Sequence, residues 1–242
     1  MERLSRINPV LEAIKASPQR VCKIYVQKDS RREKLDEIVR LARANRIPVV
    51  RAPQKKLDSI NQKHQGVIAV LTPREYSTPE AILASANLPF LVLLDGIEDP
   101  QNLGAIIRTA EGAGVDGIIL PERRSAGLTE AVSLVSAGAV EHIKVARVNN
   151  LARTMDMLKD KGLWLVGAEG RCGRSWHEFD YTLPVGLVFG SEEKGLRPLI
   201  KKKCDEILSL PLLGHMTSLN VASAASVFMY EVVRQRKRHK DE

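Results

Sequence analysis

From Phe90 onward the sequence alternates short, almost uninterrupted apolar runs with stretches of helical periodicity, and this alternation constrains the fold more than any other feature. The runs are LVLLD, GIILP, IKVARV, LWLVG, VGLVFG and EILSLP. Helical patterns lie at Pro100 to Ala113, Thr129 to Ala137, Asn150 to Asp160 and Leu219 to Arg236. A strand that is apolar on both sides belongs to a sheet covered on both faces, and strands alternating with helices pair in parallel. The expectation is an α/β domain built on a parallel sheet over residues 89–242.

The first 72 residues read as a separate, smaller α/β unit. Helix is predicted at Asn8 to Lys15, strand at Lys23 to Val26, and helix at Arg31 to Ala44. A short strand at Pro48 to Arg51, a helix near Lys56 to Gln62 and a strand at Gly66 to Leu71 complete it. Residues 73–88, with their prolines and small polar residues, read as a linker carrying a short helix. The predicted division is therefore 1–72, 73–88 and 89–242.

Charge separates the same regions. Residues 1–75 hold 17 Lys and Arg against 8 Asp and Glu, whereas residues 76–242 hold 20 against 21. A basic segment suits a polyanionic partner, because neutralised phosphates release counterions; solubility is the plainer use of the same charge. Tyr25 is the only aromatic residue in that segment. No apolar run approaches the roughly 20 residues that span a bilayer, and the first residues lack a signal-like apolar stretch, so a cytoplasmic protein without a membrane partner is expected. Cys22, Cys172 and Cys204 are odd in number and widely spaced. Neither a disulfide framework nor a metal site is expected of them.

Gly112, Gly114 and Gly117 match a GxGxxG dinucleotide fingerprint in spelling only. The fingerprint needs a strand before it and a helix after it, and here the order is reversed, so these glycines end a helix and turn the chain into a strand. The helix before them is richer. Asp99 caps it, Pro100 suits its first position, and Leu103, Ile106, Ile107 and Ala110 form its apolar stripe. Arg108 lies off that stripe, on one face with Gly104, either as an ion-pair residue or as a guanidinium open to close approach.

Two further segments hold candidate polar residues. In VGLVFGSEEKGL a strand runs into the loop Gly190 to Gly195, at the sheet edge where ligands of open α/β folds bind. Glu192, Glu193 and Lys194 there make either a solvated turn or a ligand loop. In EILSLPLLGHMTSLNVASAASVFMYEVVRQR a strand ends at Leu210 and a helix starts near Ser218 and Asn220. Ser218 is an ordinary cap of that helix on the plainer reading; otherwise Ser218 and Asn220, at its first turn, join its N–H groups in holding a polar ligand. Ala222, Ser223, Ala224, Ala225 and Ser226 allow close packing, and the terminal RQRKRHKDE reads as a frayed helix end.

In this order the three segments resemble the signature motifs of the SpoU (TrmH-like) family of the SPOUT superfamily, RNA ribose methyltransferases that use S-adenosyl-L-methionine. NPVLEAI, HQGVIAV, NLARTMDMLKDKGLWLVG and SLNVASA extend the resemblance over nearly the whole chain. They look most like bacterial enzymes that methylate a guanosine 2′-hydroxyl of 23S ribosomal RNA. The resemblance implies a parallel sheet ending in a deep trefoil knot, an exception to the rule against knots, preceded by a ribosomal-protein-like RNA-binding module. It implies cofactor contacts at Gly190, Leu210 and Leu219, catalytic polar residues at Asn102, Arg108, Glu192, Ser218 and Asn220, no metal, and a homodimer. DNA is not an implied partner. Two departures are local: Ala222 stands where many relatives have serine, and Arg6 where a glycine is common. A tRNA ribose methyltransferase, or a non-catalytic ribosome-binding or assembly protein on the same fold, are the alternative functions.

Overall fold

The computed structural model describes the chain apart from residues 29, 31, 171–173 and 242 and the side chains of residues 238–241, so Cys172 lies outside the described residues. It forms two compact units, residues 1–75 with 127–142, and residues 76–126 with 143–242. Among the described residues no helix is long and apolar enough to cross a membrane.

In the first unit β1 (Glu2–Ser5), α1 (Ile7–Ala16), β2 (Val21–Gln27), α2 (Glu33–Ala44), β3 (Val49–Ala52), α3 (Gln54–Asp58) and β4 (Val67–Leu71) follow in order. The strands form one sheet, β1-β4-β2-β3, in which β4 runs antiparallel to both neighbours and β2 parallel to β3. Helix α2 buries Leu35, Ile38, Val39 and Ala42 at helical spacing, against Ile14 of α1 and Ile24 of β2. Strand β1 is absent from the sequence expectation, since ERLS has no strand signature; its register with β4, from Glu2↔Leu71 to Ser5↔Ile68, makes it one. The helix anticipated at Lys56 to Gln62 instead starts directly after Pro53 and ends at Asp58. Arg6, at the entry to α1, has φ 74 and ψ 153, a region otherwise reserved for glycine. Residues 127–142 join this unit through polar contacts. The Glu141 carboxylate, 3% exposed, holds Arg20 at 2.9 Å and also pairs with Arg74, while Ser5 Oγ donates to Glu130 at 2.7 Å.

The second unit begins with α4 (Pro79–Leu83) inside the linker, followed by β5 (Phe90–Asp95), α5 (Pro100–Gly112) and β6 (Gly117–Pro121). The chain passes through α6 (Glu130–Val135), counted with the first unit, and returns as β7 (Lys144–Val148), α7 (Leu151–Asp160), β8 (Trp164–Ala168) and β9 (Val185–Gly190). It closes with α8 (Pro198–Lys203), β10 (Glu206–Leu208) and α9 (Val221–Asp241). All six predicted apolar runs are strands of one parallel sheet, ordered β10-β8-β9-β5-β6-β7. Every residue of β5, β6 and β9 is buried, as strands covered on both faces require. The last strand is shorter than anticipated: β10 pairs with β8 and ends at Leu208, so Leu210 lies past its end.

The glycine triplet behaves as its order dictates. Gly112 ends α5, Gly114 turns the chain at φ +73, and Gly117 opens β6. The frayed end anticipated for RQRKRHKDE is corrected at its start. Gln235 accepts the Tyr181 N–H, and Arg236 donates to the carbonyls of Tyr181, Leu88, Pro89 and Leu183. Four carbonyl acceptors compensate its burial, which lowers the pKa of Arg236.

Candidate active site

The strand order reverses between β5 and β9. From β5 the chain builds outward through β6 and β7 on one side, and β8 and β10 flank β9 on the other. Ligands of open α/β sheets bind at the C-terminal ends of strands at such a point. The residues facing one another there are Asp95 and Gly190, register partners at the ends of β5 and β9.

Gly190 has no room for a side chain. A Cβ on it would lie 2.1 Å from the carbonyl carbon of Gly195 and 2.3 Å from the Leu196 nitrogen, because the chain folds back over the strand end. The return is a tight turn in which the Gly195 N–H donates to the Ser191 carbonyl at 2.9 Å, with Gly195 at φ +62. Glu192, Glu193 and Lys194 occupy the exposed outside of this turn.

Asn102, Glu192 and Asn220, from three remote parts of the sequence, meet beside it. The Asn220 amide donates to Asn102 Oδ1 at 2.9 Å and to the Glu192 carboxylate, and Glu192 also accepts the Val221 N–H at 3.3 Å. Asn220 Oδ1 accepts the N–H groups of Ala222 and Ser223 at 3.0 and 3.3 Å. Asn220 is thus the cap of α9. The cap anticipated at Ser218 is corrected, because the helix begins at Val221 and only the residue before it reaches the first free N–H groups. Asp99 caps α5 as anticipated, accepting the Gln101 N–H at 3.0 Å. Caps at both helix starts fix the polar groups to rigid elements, and a carboxylate suits the positive end of α9.

A cleft of ≈ 630 Å³ opens on one side of the turn, and Gly190, Leu210, Leu219 and Ser218 all line it, with Phe189 and Phe228 beneath. A second cleft, of ≈ 1160 Å³, opens on the other side and includes Asn102, Glu192 and Arg197. Glu192 borders both. The first has the mostly apolar lining with a few polar groups that ligand sites show. Its polar groups include the carboxylate of Glu169, which accepts the Leu196 N–H at 3.3 Å.

Arg108 is exposed on α5, makes no hydrogen bond or ion pair among the described residues, and lines neither cleft. Gly104, on the same helix, is buried. Helices α5 and α9 pack through small residues, with Thr109 Oγ1 and Ser226 Oγ 3.1 Å apart. The close packing expected of Ala222 and Ala225 is present, both being buried.

A pair the sequence reading did not single out is Asp95 with Arg197. The Asp95 side chain is fully buried; its Oδ1 accepts Arg197 Nε at 2.7 Å and Oδ2 accepts the Arg197 main-chain N–H at 3.0 Å. The signal was an aspartate closing the wholly apolar run LVLLD, since a buried carboxylate demands a partner. Among the described residues no group of His, Cys, Asp and Glu is placed to hold a metal ion. Cys204 is half-buried, and burial together with Asp205 pushes its thiol up to about 12.

The family described as the SpoU rRNA Methylase family matches residues 89–230, and one described as RNA 2′-O ribose methyltransferase substrate binding matches residues 7–77. A Staphylococcus saprophyticus protein named for the TrmH family of tRNA/rRNA methyltransferases is 44% identical over 232 residues, covering 94% of this chain and 93% of its own. A Bacillus subtilis protein with the same family name is 41% identical, covering 95% and 94%. The crystal structure of the SpoU methyltransferase AviRb from Streptomyces viridochromogenes, in complex with AdoMet, superposes with a TM-score of 0.83 at 25% identity, covering 98% of this chain and 90% of that one.

Proposed function

This chain belongs to the SpoU rRNA methylase family, and we propose on that premise that it methylates the ribose 2′-hydroxyl of a guanosine in 23S ribosomal RNA. The coarser description, an RNA methyltransferase using S-adenosyl-L-methionine, rests on the family itself, on relatives that span nearly the whole chain and on the AdoMet-bound neighbour. One observation carries the proposal: Asn102, Glu192 and Asn220 converge at the rim of a mostly apolar cleft lined by Gly190, Leu210, Leu219 and Ser218.

The residues fit the cofactor. Leu210, Leu219 and Phe228 supply an apolar surface for a purine, Gly190 lets the turn through Gly195 close over the strand end beside it, and Ser218 and Glu169 offer polar atoms. Bound there, S-adenosyl-L-methionine supplies a methyl group on a sulfonium, so the reaction needs no Lewis acid. The protein's task is to orient a ribose hydroxyl, a poor nucleophile at neutral pH, and to stabilise the alkoxide that develops; orientation alone is worth several kcal/mol. Guanidinium groups keep their proton at neutral pH. Arg108 therefore serves by stabilising negative charge at the acceptor oxygen, the proton passing to water or to an RNA phosphate. Asn102, Glu192 and Asn220 hold the rim in shape and offer polar atoms to the ribose.

We read the protein as a homodimer whose sites draw on both copies. Arg108 lies away from both clefts of its own chain, which supports its acting in the other copy's site. The half-exposed Val227 and Tyr230 on α9, near the exposed Leu219 and Met216 in sequence, supply apolar surface for the pairing. The knotted reading of the C-terminal segment rests on the family match over residues 89–230. The basic excess of residues 1–75 suits RNA capture, in the cytoplasm where ribosomal RNA is made into particles.

Incubation with labelled S-adenosyl-L-methionine and separate pools of ribosomal and transfer RNA tests the assignment. Label in 23S RNA at a 2′-O-methylguanosine is the expected result. Label confined to tRNA overturns the choice of RNA, and no label in either favours the non-catalytic alternative.

A further inference from the structure

Arg124 and Arg197 line both the ≈ 1160 Å³ cleft at Glu192 and a neighbouring cavity of ≈ 930 Å³ over the ends of β6 and β7. The two spaces differ in charge. The first is lined by five carboxylates, Asp95, Glu98, Asp99, Glu192 and Glu193, against Lys194 and the two shared arginines. The second is lined by Arg123, Arg124 and Arg197, with Asn149 and Asn150, and by no carboxylate among the described residues. Glu122 lies next to it but is occupied: Asn149 faces its carboxylate and Arg147 donates to its carbonyl at 2.7 Å.

Arg197 is built to present its charge. Its Nε and Nη2 lie 2.7 and 2.5 Å from Asp95 Oδ1, and that carboxylate is fully buried, yet the guanidinium is 48% exposed. Of the five N–H donors of a guanidinium, those on Nη1 and one on Nη2 are left for a ligand, in a fork matched to phosphate. Held in place by a buried anchor, it loses little side-chain freedom on binding. Arg124 sits at φ +59 in the loop after β6, a backbone region that L side chains rarely adopt. The loop is fastened by the Ala126 N–H on the Ile97 carbonyl at 2.9 Å and by Ser125 Oγ on the Pro121 carbonyl at 2.5 Å. Strained backbone of this kind persists where its surroundings over-determine it, and concentrates at functional sites. Apolar residues complete the lining, with Leu151 and Ile200 buried and Leu199 59% exposed.

We propose that this cavity binds the ribonucleotide next to the methyl acceptor, its phosphodiester on Arg197 and Arg124 and its base against Leu199. The inference rests on the proposed function and takes the ≈ 1160 Å³ cleft, beside the rim residues Asn102 and Glu192 that are offered to the ribose, as the acceptor site. A polymer passing from the acidic cleft to the basic cavity explains why the same two arginines border both. Cationic side chains cross to the phosphate, and the exposed leucine takes the flat apolar face that every base offers.

The test uses the full-length protein and unmethylated RNA substrate. Arg124→Gly removes one guanidinium while suiting the left-handed backbone, and Leu199→Ala removes the apolar wall; neither touches the cofactor cleft. RNA affinity is measured across salt concentrations, with KM and kcat for methylation and calorimetric affinity for S-adenosyl-L-methionine. Arg124→Gly is expected to reduce the slope of log affinity against log salt by about 0.7, as for one phosphate on a single strand. KM for RNA should rise about tenfold, with kcat and cofactor affinity within twofold. Leu199→Ala should weaken RNA binding without changing the slope. Arg197→Lys keeps a cation against Asp95 and should still raise KM, since the fork is lost. A wild-type slope and KM in Arg124→Gly, or wild-type RNA affinity in Leu199→Ala, overturns the site, as does equal weakening toward a free mononucleotide, which would mark a small-anion site. A wild-type protein that methylates no RNA overturns the functional reading itself, and this inference with it.

Discussion

Asn220 donates its side-chain amide to the carboxylate of Glu192 while its oxygen caps α9, so one residue fixes both the start of the helix and the acid of the rim. Replacing it by aspartate separates these tasks, because aspartate caps a helix as well as asparagine does but cannot donate to a carboxylate. Asn220→Asp should lower methyl transfer at least a hundredfold while shifting Tm by only a few degrees. Asn220→Ala should also lose about 1 kcal/mol of stability with the cap. Thermal melts beside single-turnover rates check both, and near-normal transfer by the aspartate variant would remove the rim from the mechanism.

Gly190 and Gly114 provide a contrast in what glycine is for. A Cβ at Gly190 meets backbone at 2.1 to 2.3 Å, whereas at Gly114 it meets nothing within 4 Å and only φ +73 disfavours it. Gly114→Ala should cost about 1–2 kcal/mol. Gly190→Ala should cost well over 3 kcal/mol or prevent folding, because backbone rather than a side chain must move. Denaturant titration of the two variants decides it.

Arg6 holds φ 74 and ψ 153 with no side-chain cap bond at the entry to α1. Strain of this sort is worth about 1–3 kcal/mol, partly offset by the added freedom of an unfolded glycine. Arg6→Gly should raise stability by about 1 kcal/mol, read as a higher denaturation midpoint at unchanged slope.

Cys204 connects stability to alkaline pH. Its thiol is held up to about 12 by burial and by Asp205, from an ordinary value of 9.0. Above pH 9 the unfolded chain releases this proton and the folded chain keeps it. The unfolded state then binds fewer protons, and stability falls as pH rises toward 12, by at most about 1.4 kcal/mol per unit. Cys204→Ala should flatten that decline in urea titrations between pH 8 and 10.5; an unchanged slope would contradict the assignment.

Much of this was legible in the sequence because it depends on local chemistry. Strands buried on both faces must be apolar throughout, and LVLLD and VGLVFG are. Asp99 and Pro100 announce the start of α5 by capping rules that act over three residues. What escaped depends on partners distant in the chain. Strand β1 exists through its register with β4, and residues 127–142 join the first unit through Glu141 and its two arginines. Asp95 and Arg197 are 102 positions apart, so neither alone revealed the pair. The cap of α9 was misplaced by two residues because Ser218 and Asn220 have equal capping ability, and only the helix start at Val221 separates them. Arg236 reads as part of a charged tail until its four carbonyl acceptors are seen.

Arg108 offers the most direct measurement. It is exposed and has no hydrogen-bond or ion-pair partner among the described residues, so its removal should leave the fold and both clefts intact. For Arg108→Ala, methyl transfer to RNA and calorimetric binding of S-adenosyl-L-methionine are measured together. Transfer at least a thousandfold below wild type, with cofactor affinity within twofold, is the predicted result, and mixing with the cofactor-cleft variant Leu210→Arg should restore part of the activity. Methylation by Arg108→Ala at a near-normal rate would contradict the assignment of this site and its chemistry.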